Sequence, residues 1–156
     1  NRASESPAQI RFNLRLHLAS HGDIEPLQYT ADGSEGQGII DELAPRDGDL
    51  VVKKYRSSGF WGTSLDLLLR SKRIANLVCC GVTTHCCVMS TVYTARNLDY
   101  RVIVPRDAVA AVSDAHQSAA LLCMSDVFAY VTDVDCVTNL CRDETSRFKG
   151  ERNRQT

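Results

Sequence analysis

The sequence predicts an α/β fold in three layers, and three observations carry that reading. From Leu50 onward, short apolar runs alternate with longer segments of helical periodicity. The run Ala75–Cys80 is apolar enough to be buried on both faces, as a strand is when helices cover both sides of its sheet. Each strand run is also separated from the next by a helix-length connection, and crossovers of that kind join parallel strands.

Taken in order, residues 1–7 are polar and expected to fray. Ile10, Phe12, Leu14, Leu16 and Leu18 then alternate with Arg11, Asn13, Arg15 and His17. That is the period of a half-buried strand with a basic outer face, and a helix is the alternative because Leu and Arg both favour one. Residues 19–37 read as loop, with Gly22, Pro26, Gly33 and Gly36. Ile39–Leu43 is expected to make one helical turn, ended by Pro45. Arg46-Asp47-Gly48-Asp49 should then turn the chain into a short buried strand, Leu50–Val52, which a polar loop over residues 53–59 leaves. Thr63 is the expected N-cap of a helix over Ser64–Ser71, with Leu65, Leu68 and Leu69 as its apolar stripe. Asp66 falls in the first turn and Arg70 and Lys72 near the end, as the helix dipole favours.

Ala75–Cys80 is the next strand, Thr84–Leu98 the next helix, and Arg101–Val104 a strand ending at Pro105-Arg106-Asp107. Ser113 opens a helix through Asp126, Val127–Val131 forms the last strand, and Val134–Cys141 a short final helix. The tail from Arg142 is charged and expected to be disordered. The 156 residues suffice for one core and are few for two, so residues 1–141 read as a single domain and 142–156 as a tail.

Composition excludes several classes of function. A formal net charge of −1 with 24% charged residues offers neither a nucleic-acid face nor a polybasic membrane patch. Ile74–Ala95 contains no Asp, Glu, Lys or Arg and is long enough to cross a bilayer, but Gly81-Val82-Thr83-Thr84-His85 interrupts it with polar, turn-forming residues. A buried strand followed by a buried helix explains it, and no membrane partner is expected. The seven cysteines are odd in number, include the adjacent pairs Cys79-Cys80 and Cys86-Cys87, and fall mostly within core elements. A disulfide framework would space them through loops, so a reducing, cytoplasmic setting is expected.

Ligands of open parallel sheets bind beyond the carboxyl ends of the strands. Lys54, Cys87 and Asp107 are the reactive residues delivered there by successive strands. Cys87 would sit in the first turn of a helix, where unpaired N–H groups and the positive dipole end stabilise a thiolate and a developing oxyanion. The plain alternative is a small buried hydrophobe. Cys86 points about a third of a turn away, into packing. Cys79 and Cys80 face opposite sides of a strand, while Cys123, Cys136 and Cys141 read as structural. The clustered Cys79, Cys80, His85, Cys86 and Cys87 lack paired C-x-x-C spacing and diverge in direction, which argues against a zinc site. His85 reads as a first-turn residue near the pocket and His116 as a structural or capping group. Lys54 either lowers the thiol pKa and shuttles a proton or is a solvated surface cation like Lys53 beside it. Phe60 and Trp61 either wall the pocket or belong to the core. Asp107 is either a base or a turn and cap residue.

Two stretches resemble a known family. Lys54-Tyr55-Arg56-Ser57-Ser58-Gly59-Phe60-Trp61-Gly62-Thr63-Ser64-Leu65 is similar to the lysine motif of the isochorismatase-like cysteine hydrolases. Gly81-Val82-Thr83-Thr84-His85-Cys86-Cys87-Val88-Met89-Ser90-Thr91 is similar to their nucleophile motif, and Tyr100–Ala108 continues the pattern. The similarity runs over about two-thirds of the chain, residues 33–140.

The resemblance implies a doubly wound sheet and an Asp-Lys-Cys triad, with Cys87 attacking an amide or ureido carbonyl to give an acyl-enzyme. It also implies that the backbone N–H groups of Thr83 and Cys87 form an oxyanion hole and that the Val82–Thr83 peptide is cis. Lys54 would stabilise the thiolate, and Phe60, Trp61 and His85 would line the substrate pocket. Cysteine at this place implies C–N hydrolysis, with a ureidoacrylate or biuret type of substrate nearest. The zinc-ligand motif of nicotinamidases is not matched, so neither metal nor other cofactor is implied. Members usually form homo-oligomers.

The sequence departs from the pattern at the third catalytic group, an Asp ending the family's first strand. Asp23, Asp32, Asp41 and Asp49 all lie in polar, turn-like settings, so the chain is expected to lack that strand. Without the Asp a general base worth about 10² to 10⁴ in rate is missing. A catalytically impaired relative acting as a binding or assembly module is therefore the alternative to a hydrolase, and a metal or redox sensor a third reading.

Overall fold

A computed structural model of the chain describes residues 38–142. The strand expected over Ile10–Leu18, the loop over residues 19–37 and the tail beyond residue 142 lie outside the described residues, as do Asp23 and Asp32. The chain divides into two compact units: Asn1–Arg56 with Trp61–Thr63, and Ser57–Phe60 with Ser64–Thr156.

In the first unit a 3-10 turn, Asp41–Leu43, precedes the turn at Asp47 and Gly48. The Asp49 N–H donates to the Arg46 carbonyl at 3.0 Å, and the Arg46 N–H donates back to the Asp49 carboxylate at 2.9 Å. Gly48 sits at φ +96°, a backbone state that costs glycine little. The buried strand expected over Leu50–Val52 does not form. Those residues take up no regular structure, and Val51 is 68% exposed. Three apolar residues bury only if a neighbouring strand pairs their backbone and a facing surface covers them.

The second unit holds the sheet. Helix α1 spans Leu65–Ser71, with Leu65, Leu68 and Leu69 turned toward the protein and Leu67 outward. Its N-cap is Ser64 rather than Thr63, and no side chain caps it. Asp66 accepts from Arg70 at 3.0 Å and from the Tyr100 hydroxyl at 2.8 Å, tying α1 to the residue just before the strand Arg101–Pro105. Strands β1 (Asn76–Val78), β3 (Arg101–Pro105) and β5 (Tyr130–Thr132) form a parallel sheet in the order β1-β3-β5. Two further short strands, β2 (Gly81–Val82) and β4 (Val109–Ala110), pair in parallel beyond β1 and β3. Between the two ladders the partner offset grows from 25 (76 with 101) to 28 (81 with 109), and the turn Arg106-Asp107-Ala108 accommodates the difference. Gly81, read from sequence as part of a turn, thus belongs to a strand whose existence depends on a partner 28 residues away.

Helix α2 (Met89–Asn97) follows a wide opening turn, Thr84–Val88. Helix α3 spans Asp114–Val127 and helix α4 residues 134–142. Val88, Val92 and Ala95 recur at helical spacing and bury one face of α2 against Val102, Val104, Tyr100 and Met124. Met124 and Val104, both 0% exposed, mark the centre of this core.

Two further strand expectations need correction. Ala75–Cys80 is strand only over Asn76–Val78 and is not buried on both faces: among the described residues β1 is paired by β3 alone, and Val78 is 48% exposed. Val127–Val131 is strand only from Tyr130. Val127 ends α3 and Phe128 caps it, its N–H donating to the Met124 carbonyl, and the Phe128 ring packs on Tyr93 of α2 at 4.0 Å between centroids.

Candidate active site

The nucleophile motif is built as a strand-to-helix passage. Gly81 enters it at φ +109°, where a side chain would be strained, and its N–H donates to the Ala108 carbonyl at 2.9 Å. The Val82–Thr83 peptide is cis. Thr83 is extended, and its carbonyl accepts from the N–H groups of Cys86 (3.1 Å) and Val88 (3.2 Å). The second bond spans five residues, so the helix opens with a π-type turn, a local widening found often at functional sites.

Cys87 lies in this turn, partly exposed, beyond the carboxyl end of β2. Its carbonyl accepts from the Thr91 hydroxyl at 2.7 Å, and that hydroxyl accepts from the Gly59 N–H at 2.9 Å. One turn on, Thr94 donates to the Ser90 carbonyl (2.8 Å) and accepts from the Ser58 hydroxyl (2.9 Å), which in turn accepts from the Phe60 N–H (3.2 Å). The pair Thr91 and Thr94 therefore fastens Ser58-Gly59-Phe60 along the helix that carries Cys87. A Cβ at Gly59 would sit 3.4 Å from Leu65 Cδ2 and 3.5 Å from Thr91 Cγ2, so the segment lies close.

Around Cys87 the other motif residues separate. Cys86 is exposed, its Sγ 3.7 Å from the Ser57 hydroxyl. Thr84 is fully buried. The His85 ring packs on His116 at 4.6 Å between centroids, and its Nδ1 is buried without a hydrogen-bond partner among the described residues. Phe60 is buried in the core, its ring 5.7 Å from that of Tyr100. Lys54 and Trp61 belong to the first unit. There the Lys54 ammonium donates to the Arg56 carbonyl at 3.2 Å, and Trp61 is 70% exposed. Asp107 accepts from the Val134 N–H through both carboxylate oxygens (3.0 and 3.3 Å) and so caps α4.

Cys79 and Cys80, just past the end of β1, diverge: Cys79 is half-buried and its thiol is pushed up to about 11 by burial, while Cys80 is exposed. None of the cysteines is joined in a disulfide, and among the described residues no three His, Cys, Asp or Glu side chains converge as a metal site would need. No helix among the described residues is long and apolar enough to cross a membrane. Sequence reasoning did not single out Thr91, Thr94, Ser58 or Gln117. Thr91 and Ser58 stood inside the quoted motifs, but a hydroxyl's partner depends on which backbone the fold brings beside it.

Residues 19–136 match the Isochorismatase domain family. The ureidoacrylate amidohydrolase RutB of Pseudomonas savastanoi pv. phaseolicola is 41% identical over 136 residues, 85% of this chain and 55% of that protein. The chain thus spans about half the length of the curated relatives it matches. Among solved structures, an isochorismatase-like hydrolase from Alkaliphilus metalliredigens is 36% identical with a TM-score of 0.66, over 69% of this chain and 59% of that one. N-carbamoylsarcosine amidase from Thermoplasma acidophilum is 34% identical with a TM-score of 0.61, over 75% and 64%. With its parallel sheet, its strand-to-helix cysteine turn and these relatives, the chain belongs to the isochorismatase family and has the isochorismatase-like hydrolase fold.

Proposed function

We propose that this chain carries the nucleophile of a cysteine hydrolase that cleaves a C–N bond in a small amide or ureido substrate. The observation that carries the reading is the position of Cys87 in the wide turn that opens into α2, beyond the carboxyl end of β2. There the helix N-terminus favours negative charge, on the thiolate before attack and on the carbonyl oxygen after it. Cys87 Sγ attacks the carbonyl carbon, and the N–H groups of Thr83 and Cys87 hold the oxyanion. The leaving nitrogen departs protonated, and water then hydrolyses the thioester to release the acid and the thiol. Lys54 favours the thiolate and supplies a proton to the leaving amine. Phe60, Trp61 and His85 shape the substrate site, and no cofactor takes part. The names of two relatives, ureidoacrylate amidohydrolase and N-carbamoylsarcosine amidase, support a ureido or carbamoyl group as the one attacked. Exposed apolar residues of the second unit, among them Val82, Leu122 and Tyr130, support assembly into a homo-oligomer.

Turnover of a panel of ureido and carbamoyl amides by the purified chain tests this. Hydrolysis should fall to the uncatalysed background in Cys87→Ala, and by a factor on the order of 10² to 10⁴ in Lys54→Ala. A parent chain without Cys87-dependent turnover would leave the binding or assembly module as the better account.

A further inference from the structure

The Thr84 hydroxyl, at the start of the nucleophile turn, is fully enclosed and donates to Gln117 Oε1 at 2.7 Å. The Gln117 amide nitrogen donates in turn to the carbonyls of Val109 (3.0 Å) and Arg106 (3.4 Å). Val109 is the residue of β4 that pairs with Gly81 of β2, the strand leading into the turn. One side-chain amide therefore closes a circuit: β2 enters the turn, Thr84 begins it, and Gln117 ties Thr84 back to the strand beside β2. Only an amide completes it, because one end must accept from a hydroxyl while the other donates to carbonyls. The preceding residue of α3 grips the next residue of the turn, His116 against His85. Ser113 holds that end of α3 by accepting from the His116 N–H at 3.4 Å, with its Oγ 2.8 Å from His116 Nδ1.

We propose that Gln117 is a positioning residue for Cys87, fixing through Thr84 the turn that presents the thiol and the Thr83 and Cys87 N–H groups. The proposal rests on Cys87 being the nucleophile. Gln117 does not reach the reacting atoms; it removes the freedom of the turn to rotate about its entry strand. Attack on a carbonyl is sensitive to such freedom, since a displacement of about 1 Å can cost about a hundredfold in rate.

The test compares Gln117→Met, Thr84→Val and Thr84→Ser with the parent chain, by steady-state hydrolysis of a small ureido amide, by iodoacetamide labelling of Cys87 read by peptide mass, and by thermal melting. Gln117→Met and Thr84→Val should each lower kcat about ten- to a hundredfold with KM held within about twofold. The double variant should fall no further than the worse single one, because both break one circuit. Thr84→Ser, which keeps the hydroxyl, should restore kcat. Cys87 labelling should slow in the two impaired variants and recover in Thr84→Ser. A lower melting temperature with kcat, KM and labelling unchanged would make Gln117 merely structural and overturn the proposal, as would multiplicative losses in the double variant. Gln117→Asn, which withdraws the amide without removing it, replaces Gln117→Met if that variant does not fold, with the same loss expected. Should the parent show no Cys87-dependent turnover, the hydrolase reading fails on its own. The labelling rates then decide the positioning claim: slowed and rescued supports it, unchanged overturns it.

Discussion

Two adjacent cysteines occupy the nucleophile turn, and their surroundings differ. Cys87 has its carbonyl held by Thr91, whereas Cys86 is exposed against Ser57. A third thiol, Cys79, makes a separable statement about pH. Burial raises it from 9.0 to about 11, because the apolar surroundings disfavour the thiolate. The folded state therefore keeps a proton that the unfolded chain loses first. Stability from this group is complete below about pH 9 and is lost as pH rises through about 11, by at most about 2–3 kcal/mol. Tyr100, raised by burial and by its hydrogen bond to Asp66, acts in the same direction. Urea denaturation between pH 8 and pH 11 should show this alkaline loss, and Cys79→Ala should flatten it. At this scale the sequence was half legible. Motif and spacing single out Cys87 from Cys86, and the cap bond of Asp107 is one of the two roles its position offered. Gln117 could not be chosen, because a glutamine in the second turn of a helix looks like any solvated side chain until the carbonyls of Val109 and Arg106 are placed beside it.

At the scale of elements, α2 does more than continue the turn that holds Cys87. Thr91 and Thr94, three residues apart and so on one side of the helix, hold Ser58-Gly59-Phe60 by hydroxyl-to-backbone and hydroxyl-to-hydroxyl bonds. Thr91→Val keeps the shape but takes away the acceptor for the Gly59 N–H and the donor to the Cys87 carbonyl. We expect it to cost about 1–3 kcal/mol in urea denaturation, with Thr91→Ser close to the parent. A Thr91→Val chain as stable as the parent would mean that the segment is held by other contacts. Val88, Val92 and Ala95 form the buried face of residues 84–97, a segment whose helical character was legible in the sequence. Its π-type opening was not, since it depends on the Thr83 carbonyl meeting the Val88 N–H rather than on any propensity. Leu50–Val52 misled for the converse reason: an apolar triplet states a preference for burial but cannot supply the partner strand.

At the scale of the molecule, the alternation of apolar runs and helical segments was enough to give the α/β class and the parallel pairing, because a crossover leaves the strands no other direction. The β2–β4 ladder escaped notice, since two-residue strands carry no periodicity and exist only through the change of register at Arg106–Ala108. That short ladder sets the turn bearing Cys87 beyond the sheet edge, so the proposed attack on a carbonyl depends on the whole arrangement of parallel strands and helix N-terminus. The most direct measurement is the mass of the chain quenched in acid during turnover of a small ureido amide, with the adduct located by fragmentation of the peptide containing Cys86 and Cys87. One acyl group is expected, on Cys87, and none in Cys87→Ala. An acyl group on Cys86 or on any other residue would contradict the proposal.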